Sequence, residues 1–128
     1  LKTVKLWKII EDIEPNYWFC FLHYDREKTN MDKETFAKAI QAEGIPVGAH
    51  YVKVMYEGVW IRDRKTYGSS GCPWKCLIYG KNIDYTHCCP NAEKALANHM
   101  TLYIHEDWTE KEVENTIKAL EKVEHYLK

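Results

Sequence analysis

The sequence predicts an α+β domain: a small, mostly antiparallel sheet packed against helices, with a long irregular arm. Three observations predict it. A capped amphipathic helix closes the chain, an aromatic run reads as a strand near its start, and the elements follow the order strand–helix–strand–arm–helix–strand–helix. The 128 residues fit one domain of ordinary size. Apolar residues make up 45% and charged residues 29%, and five Trp, nine Tyr and three Phe can supply a core.

Residues 1–15 carry two periods. Val4 and Leu6 alternate like a strand, while Val4, Trp7, Ile10 and Ile13 recur every third residue. A short strand over Val4–Trp7 is the preferred reading. Tyr17–Tyr24 (YWFCFLHY) reads as a strand buried on both faces. A helix follows over Lys33–Glu43, with Asp32 as N-cap, Phe36, Ala39 and Ile40 as its apolar stripe, and Gly44 as the left-handed stop. Ile45–Val52 reads as a strand made irregular by Pro46 and Gly48.

The segment Lys53–Cys88 has no sustained period. It carries Tyr56, Trp60, Tyr67, Trp74, Tyr79 and Tyr85, too many aromatic residues for disorder. It is expected to be an arm built to wrap a second domain or subunit. Pro90 then sits at the first position of a helix running to about Asn98. Thr101–His105 is a short strand. The last helix, Glu110–Tyr126, opens on Thr109 and Glu112 at capping-box spacing, with Trp108 and Val113 as a staple. Val113, Ile117, Leu120, Val123 and Leu127 form its stripe, with acidic residues early and lysines late along the dipole.

Composition excludes some functions. Eighteen Lys and Arg against nineteen Asp and Glu leave a net charge of −1, without the basic excess that nucleic acid demands. No apolar run reaches the roughly 18 residues of a membrane span, and no signal segment opens the chain. A cytoplasmic location is expected. The chain starts at Leu1 and is read as a piece of something longer or a trimmed form.

Cysteine and histidine are the first chemical candidates. Cys72 and Cys76 lie close in sequence, and His87, Cys88 and Cys89 follow after a short gap. Such ligands can close a zinc site, although adjacent residues rarely aim at one ion. The alternative is ordinary thiols in a reducing cytosol with no obligatory pairing. A stand-alone binding module stapled by a Cys/His metal site therefore stays open as one function. Tyr67–Gly71 lacks the lysine and the strand-to-helix setting of a phosphate cradle and reads as a turn. Every lysine lies in a polar neighbourhood, so none is expected to be a buried catalytic amine.

Four segments resemble a known family. FAKAIQAEGIPVGAHY (Phe36–Tyr51) resembles the helix–Gly-Ile–strand–His-Tyr block of the DegT/StrS-type sugar aminotransferases, fold-type I enzymes dependent on pyridoxal phosphate (PLP). Cys89-Pro-Asn-Ala-Glu93 resembles their CP-x-AE box, and Thr101–His105 with the helix after it resembles their closing strand and helix. Tyr17-Trp-Phe resembles the aromatic strand that opens the same region. Val52-Lys53-Val54 stands where the family usually has a proline, and Tyr103 replaces the proline of its S-L-P-L strand.

The resemblance implies that residues 1–128 are the C-terminal small domain of such an enzyme. The enzyme would move an amino group from an amino acid to a keto-sugar or keto-cyclitol. It implies a homodimer in which PLP and its lysine belong to a large domain absent here, so that this chain alone is inactive and binds no cofactor. It assigns substrate contact to His50, with Tyr51 beside it, and no catalytic residue to this segment.

Overall fold

In the computed structural model, which describes residues 1–77 and 83–126, strands β1 (Val4–Leu6), β2 (Cys20–Tyr24), β3 (Val47–Gly48) and β4 (His99–Leu102) form a single sheet. Their spatial order is β1-β2-β4-β3, and all three pairings are antiparallel. The helices are α1 (Lys33–Ala42), α2 (Val59–Arg62), α3 (Pro90–Ala97) and α4 (Glu110–Tyr126). The α+β class and the antiparallel sheet are as the sequence predicts. The chain divides into two units, Leu1–Tyr51 with Ala97–Lys128, and Val52–Leu96. The second unit is thus interpolated between β3 and β4, which are hydrogen-bonded neighbours.

In the first unit, side chains alternate across the sheet, so Leu22 and Tyr24 of β2 face the same side as Met100 and Leu102 of β4. That side meets Phe36, Ala37 and Ile40 of α1 and Ala119, Leu120 and Val123 of α4 in one core. Polar contacts pin its edges. The Tyr24 hydroxyl donates to the Met31 carbonyl at 2.7 Å, and the Gln41 amide donates to the Val47 carbonyl at 2.6 Å. The Glu124 carboxylate accepts the backbone N–H groups of Lys2 and Thr3, tying the start of the chain to α4. Lys122 pairs with Glu43 at 2.7 Å, bridging the end of α1 to α4.

Helix ends follow the local chemistry. Asp32 caps α1 by accepting the Thr35 N–H at 2.7 Å, and Gly44 leaves the helix at φ +85°. The Glu112 carboxylate accepts the Thr109 N–H at 2.9 Å ahead of α4.

Several boundaries and faces differ from expectation. The aromatic strand begins at Cys20, not Tyr17, and is not buried on both faces: Phe21 is 40% exposed and Trp18 83%. The core cluster joins one side of the sheet to α1 and α4, so the aromatic run alternates between a core side and an open side. The third strand shrinks to two residues, because Pro46 has no N–H to give; its carbonyl accepts from Tyr103 instead. The fourth strand begins at His99 and ends at Leu102.

On α4 the buried stripe is Thr116, Ala119, Leu120 and Val123, while Val113 and Ile117 stay about half exposed. Leu127 lies outside the described residues. The small Ala119 and Thr116 face inward; Thr116 satisfies its hydroxyl within the helix by donating to the Glu112 carbonyl at 2.8 Å. Lys33 is also a correction. It is buried in the first turn of α1, and burial pulls its pKa below the ordinary lysine value.

The second unit, which holds the irregular arm, carries local structure. It contains a 3-10 turn at Met55–Glu57, α2, a Cys72–Cys76 disulfide and most of α3. Neither alternative open to these cysteines in the sequence, ordinary thiols or a Cys/His metal site, is this disulfide.

Candidate functional site

The open side of the sheet in the first unit is aromatic. Phe21 lies opposite Thr101 on β4, and His23 lies opposite His99. Around Phe21 the rings gather: Phe19 at 4.9 Å, His99 at 5.5 Å, Trp7 at 6.1 Å and Tyr51 at 6.3 Å between centroids. Most meet edge-on or tilted, the arrangement ring quadrupoles favour. Beneath them His99 and Thr101 are buried. Gly48 permits a further close approach. A Cβ there would stand 3.3 Å from the Tyr103 hydroxyl oxygen, so the Tyr103 ring occupies the space a side chain would need.

Beside this face opens a mostly apolar groove of about 480 Å³, lined among others by Leu6, Trp7, Ile9, Pro15, Trp18 and Cys20. Cys20 is a free, half-buried thiol whose pKa burial raises.

The two residues singled out for substrate contact diverge from one another. Tyr51 joins the aromatic face, with its ring 4.7 Å from that of Phe19. His50 turns to the first turn of α1, where its Nε2 lies 2.9 Å from Glu34 Oε1. Glu34 occupies the position near the helix N-terminus that favours a carboxylate. The pair is solvent-accessible, and Glu34 fixes the orientation of the imidazole so that Nδ1 is left for another partner.

In the second unit a different constellation forms. The Tyr56 hydroxyl donates to Glu93 on α3, and His87 Nδ1 lies 3.1 Å from the other carboxylate oxygen. These two hydrogen bonds hold Glu93 below the usual carboxylate range. Burial, and then the Glu93 carboxylate, push the Tyr56 phenol up. Arg62, Arg64, Tyr85 and Thr86 line a cavity of about 320 Å³ next to Tyr56.

The cysteine–histidine set does not converge. Cys72 and Cys76 are joined to each other, His87 is held by Glu93, and Cys88 and Cys89 remain exposed thiols with sulfurs 3.5 Å apart. Among the described residues no three His, Cys, Asp or Glu side chains gather as metal ligands. No described helix is long and apolar enough to cross a membrane.

Comparison of the chain with protein-family profiles, curated proteins and solved structures yields no match.

Sequence reasoning missed Glu34 and the Tyr56–Glu93–His87 cluster. Glu34 reads in sequence as an ordinary first-turn acid, and nothing marks its meeting with His50. Glu93 carries a weak signal, because a first-turn glutamate preceded by His and two Cys is an unusual concentration of polar chemistry.

Proposed function

We propose that this chain is the C-terminal small domain of a PLP-dependent aminotransferase of the DegT/StrS type, which moves an amino group from an amino acid to a keto-sugar or keto-cyclitol. The observation that carries the reading is positional. The four resembling segments fall, in the family's order, on β2 with its approach, on α1 through β3 to Tyr51, on the start of α3, and on β4 with α4. The aromatic side chains exposed on the sheet support it, since a domain that walls a cleft presents such a face to its substrate.

The residues present do not fit PLP by themselves. The cofactor needs a lysine amine at the floor of a cleft and a phosphate cradle. Lys33, the buried lysine, lines neither of the cavities described above, and Tyr67 of the glycine–serine turn is fully exposed. The cofactor and its chemistry would belong to the large domain.

What the chain supplies is orientation. Tyr51, on the aromatic face, offers a ring face to the sugar's C–H edge, while His50, turned away from it toward Glu34, would meet only a sugar hydroxyl that reaches past the edge of that face. The enzyme is placed in the cytoplasm as a homodimer. In that reducing setting Cys72 and Cys76 would be held mainly as thiols.

Spectral titration of the full-length source protein, loaded with PLP, tests the proposal. Glutamate should bleach the cofactor band, and a keto-sugar should restore it; His50→Ala should weaken the second step and spare the first. A source protein no longer than this chain, or one inert to every amino donor, would end the proposal.

A further inference from the structure

The chemistry least accounted for sits at the start of α3. Cys88 and Cys89 are adjacent in sequence, exposed and unoxidised, and their sulfurs lie 3.5 Å apart. Neighbouring side chains usually diverge, and here the backbone turns them together. His87 adopts φ +55°, a left-handed conformation uncommon for a residue with a side chain, immediately before the pair. After it, Cys89 gives its carbonyl to the Glu93 N–H at 3.1 Å and so opens α3, with Pro90 at the first helical position. The two thiols are therefore held side by side by the entry into a helix.

We propose that Cys88 and Cys89 form a two-sulfur chelating site for a trivalent organoarsenical. Two features select this guest. At a bond length of about 2.3 Å, typical of thiolate on a soft ion, sulfurs so spaced subtend roughly 100° at the guest. That suits a pyramidal three-coordinate centre that brings its own third substituent. Among the described residues no third His, Cys, Asp or Glu converges on the pair, whereas a closed zinc site needs four ligands.

The chemistry of uptake points the same way. An arsonous acid, R–As(OH)₂, reacts with two neutral thiols: two As–S bonds form and two As–O bonds break. The thiol protons leave on the departing oxygens as two waters, and arsenic stays trivalent. The product is neutral and needs no counter-charge beside the Glu93 carboxylate.

Phenylarsine oxide is the probe, added to the intact chain in oxygen-free buffer without reductant so that Cys72–Cys76 stays closed. One equivalent should bind, withstand excess monothiol, be released by a dithiol, and map to the Cys88–Cys89 peptide. Cys88→Ser and Cys89→Ser should each weaken binding on the order of a hundredfold, the loss expected when a second tethered ligand is removed. Cys20→Ser should leave it unchanged. Peptide mapping of the unaltered chain decides the matter even if a serine variant misfolds. An adduct on Cys20 or on Cys72 and Cys76, binding by either serine variant as tight as that of the unaltered chain, or no adduct at all would overturn the proposal.

Discussion

Tyr56 donates its phenolic hydrogen to the carboxylate of Glu93, 37 residues away in sequence. The contact joins the 3-10 turn at Met55–Glu57 to α3 within the second unit, and His87 completes it from the other carboxylate oxygen.

Opposite shifts on the two partners give a signed prediction. Glu93, lowered in the fold, contributes stability above its unfolded pKa and loses it as pH falls through the folded value. Tyr56, raised in the fold, contributes below its unfolded pKa and loses it as pH rises through the folded value. Tyr56→Phe should therefore move the Glu93 titration up toward the ordinary 4.5 and speed amide exchange over Met55–Glu57. Carboxyl NMR and exchange mass spectrometry read both effects. An unmoved Glu93 titration would show that the hydrogen bond is not formed in solution.

Two neighbouring residues of α4 should separate sharply. Leu120 belongs to the core, and Leu120→Ala should cost about 2–5 kcal/mol through lost burial and a residual cavity. Ile117 is 46% exposed, and Ile117→Ala should cost under about 1 kcal/mol. Urea denaturation of both variants checks the rotation of the buried stripe. Equal losses would restore the stripe expected from periodicity alone.

Lys33 supplies an alkaline signature. Its folded pKa is depressed, so the unfolded chain binds more protons between that value and the ordinary 10.5, and stability rises with pH through this window. Lys33→Met should flatten that rise, because the titrating ammonium is gone. Urea denaturation of both proteins between neutral and alkaline pH reads it, and an unchanged slope would show that Lys33 does not carry the signature.

Exposed apolar residues in the second unit predict self-association. Trp60 is 54% exposed, and Tyr67 and Leu77 are fully open. Soluble monomers seldom leave contiguous patches beyond a few hundred Å². Sedimentation across a concentration series should reveal dimers or larger species, weakened by Trp60→Ser with Leu77→Ser. A monomer at every concentration would show that these side chains need no cover.

The helices were the most legible part of the fold, for a physical reason. Caps and stops are local chemistry: Asp32 meets Thr35 three residues on, and Gly44 needs no neighbour to turn left-handed. Strand limits depend on what lies across the sheet. Tyr17 and Trp18 look like the rest of their run, yet β2 begins only where Cys20 finds Leu102 as a partner. Which side of α4 is buried was likewise decided by α1 and the sheet, because Val113 and Ile117 suit a core as well as Ala119 does. Of the candidate site, Tyr51 and His50 could be named from their segment. The partner Glu34 could not, because the meeting depends on how the chain returns from β3 to the start of α1. The disulfide between Cys72 and Cys76 was equally hidden, since a four-residue separation serves a loop, a metal or a bridge alike.

The pairing of Val47 with Leu102 and of Gly48 with Thr101 makes the Val52–Leu96 unit an excursion that leaves the sheet and returns to it at adjoining rungs. The host can close its ladder whatever the length of the excursion, because each doubling of a flexible loop adds only about 0.6 kcal/mol to the cost of closure. Such a segment can be lengthened, shortened or exchanged without disturbing strand register. The chain is thereby arranged as a fixed frame with a replaceable cassette, and change can accumulate in the cassette while the frame continues to fold.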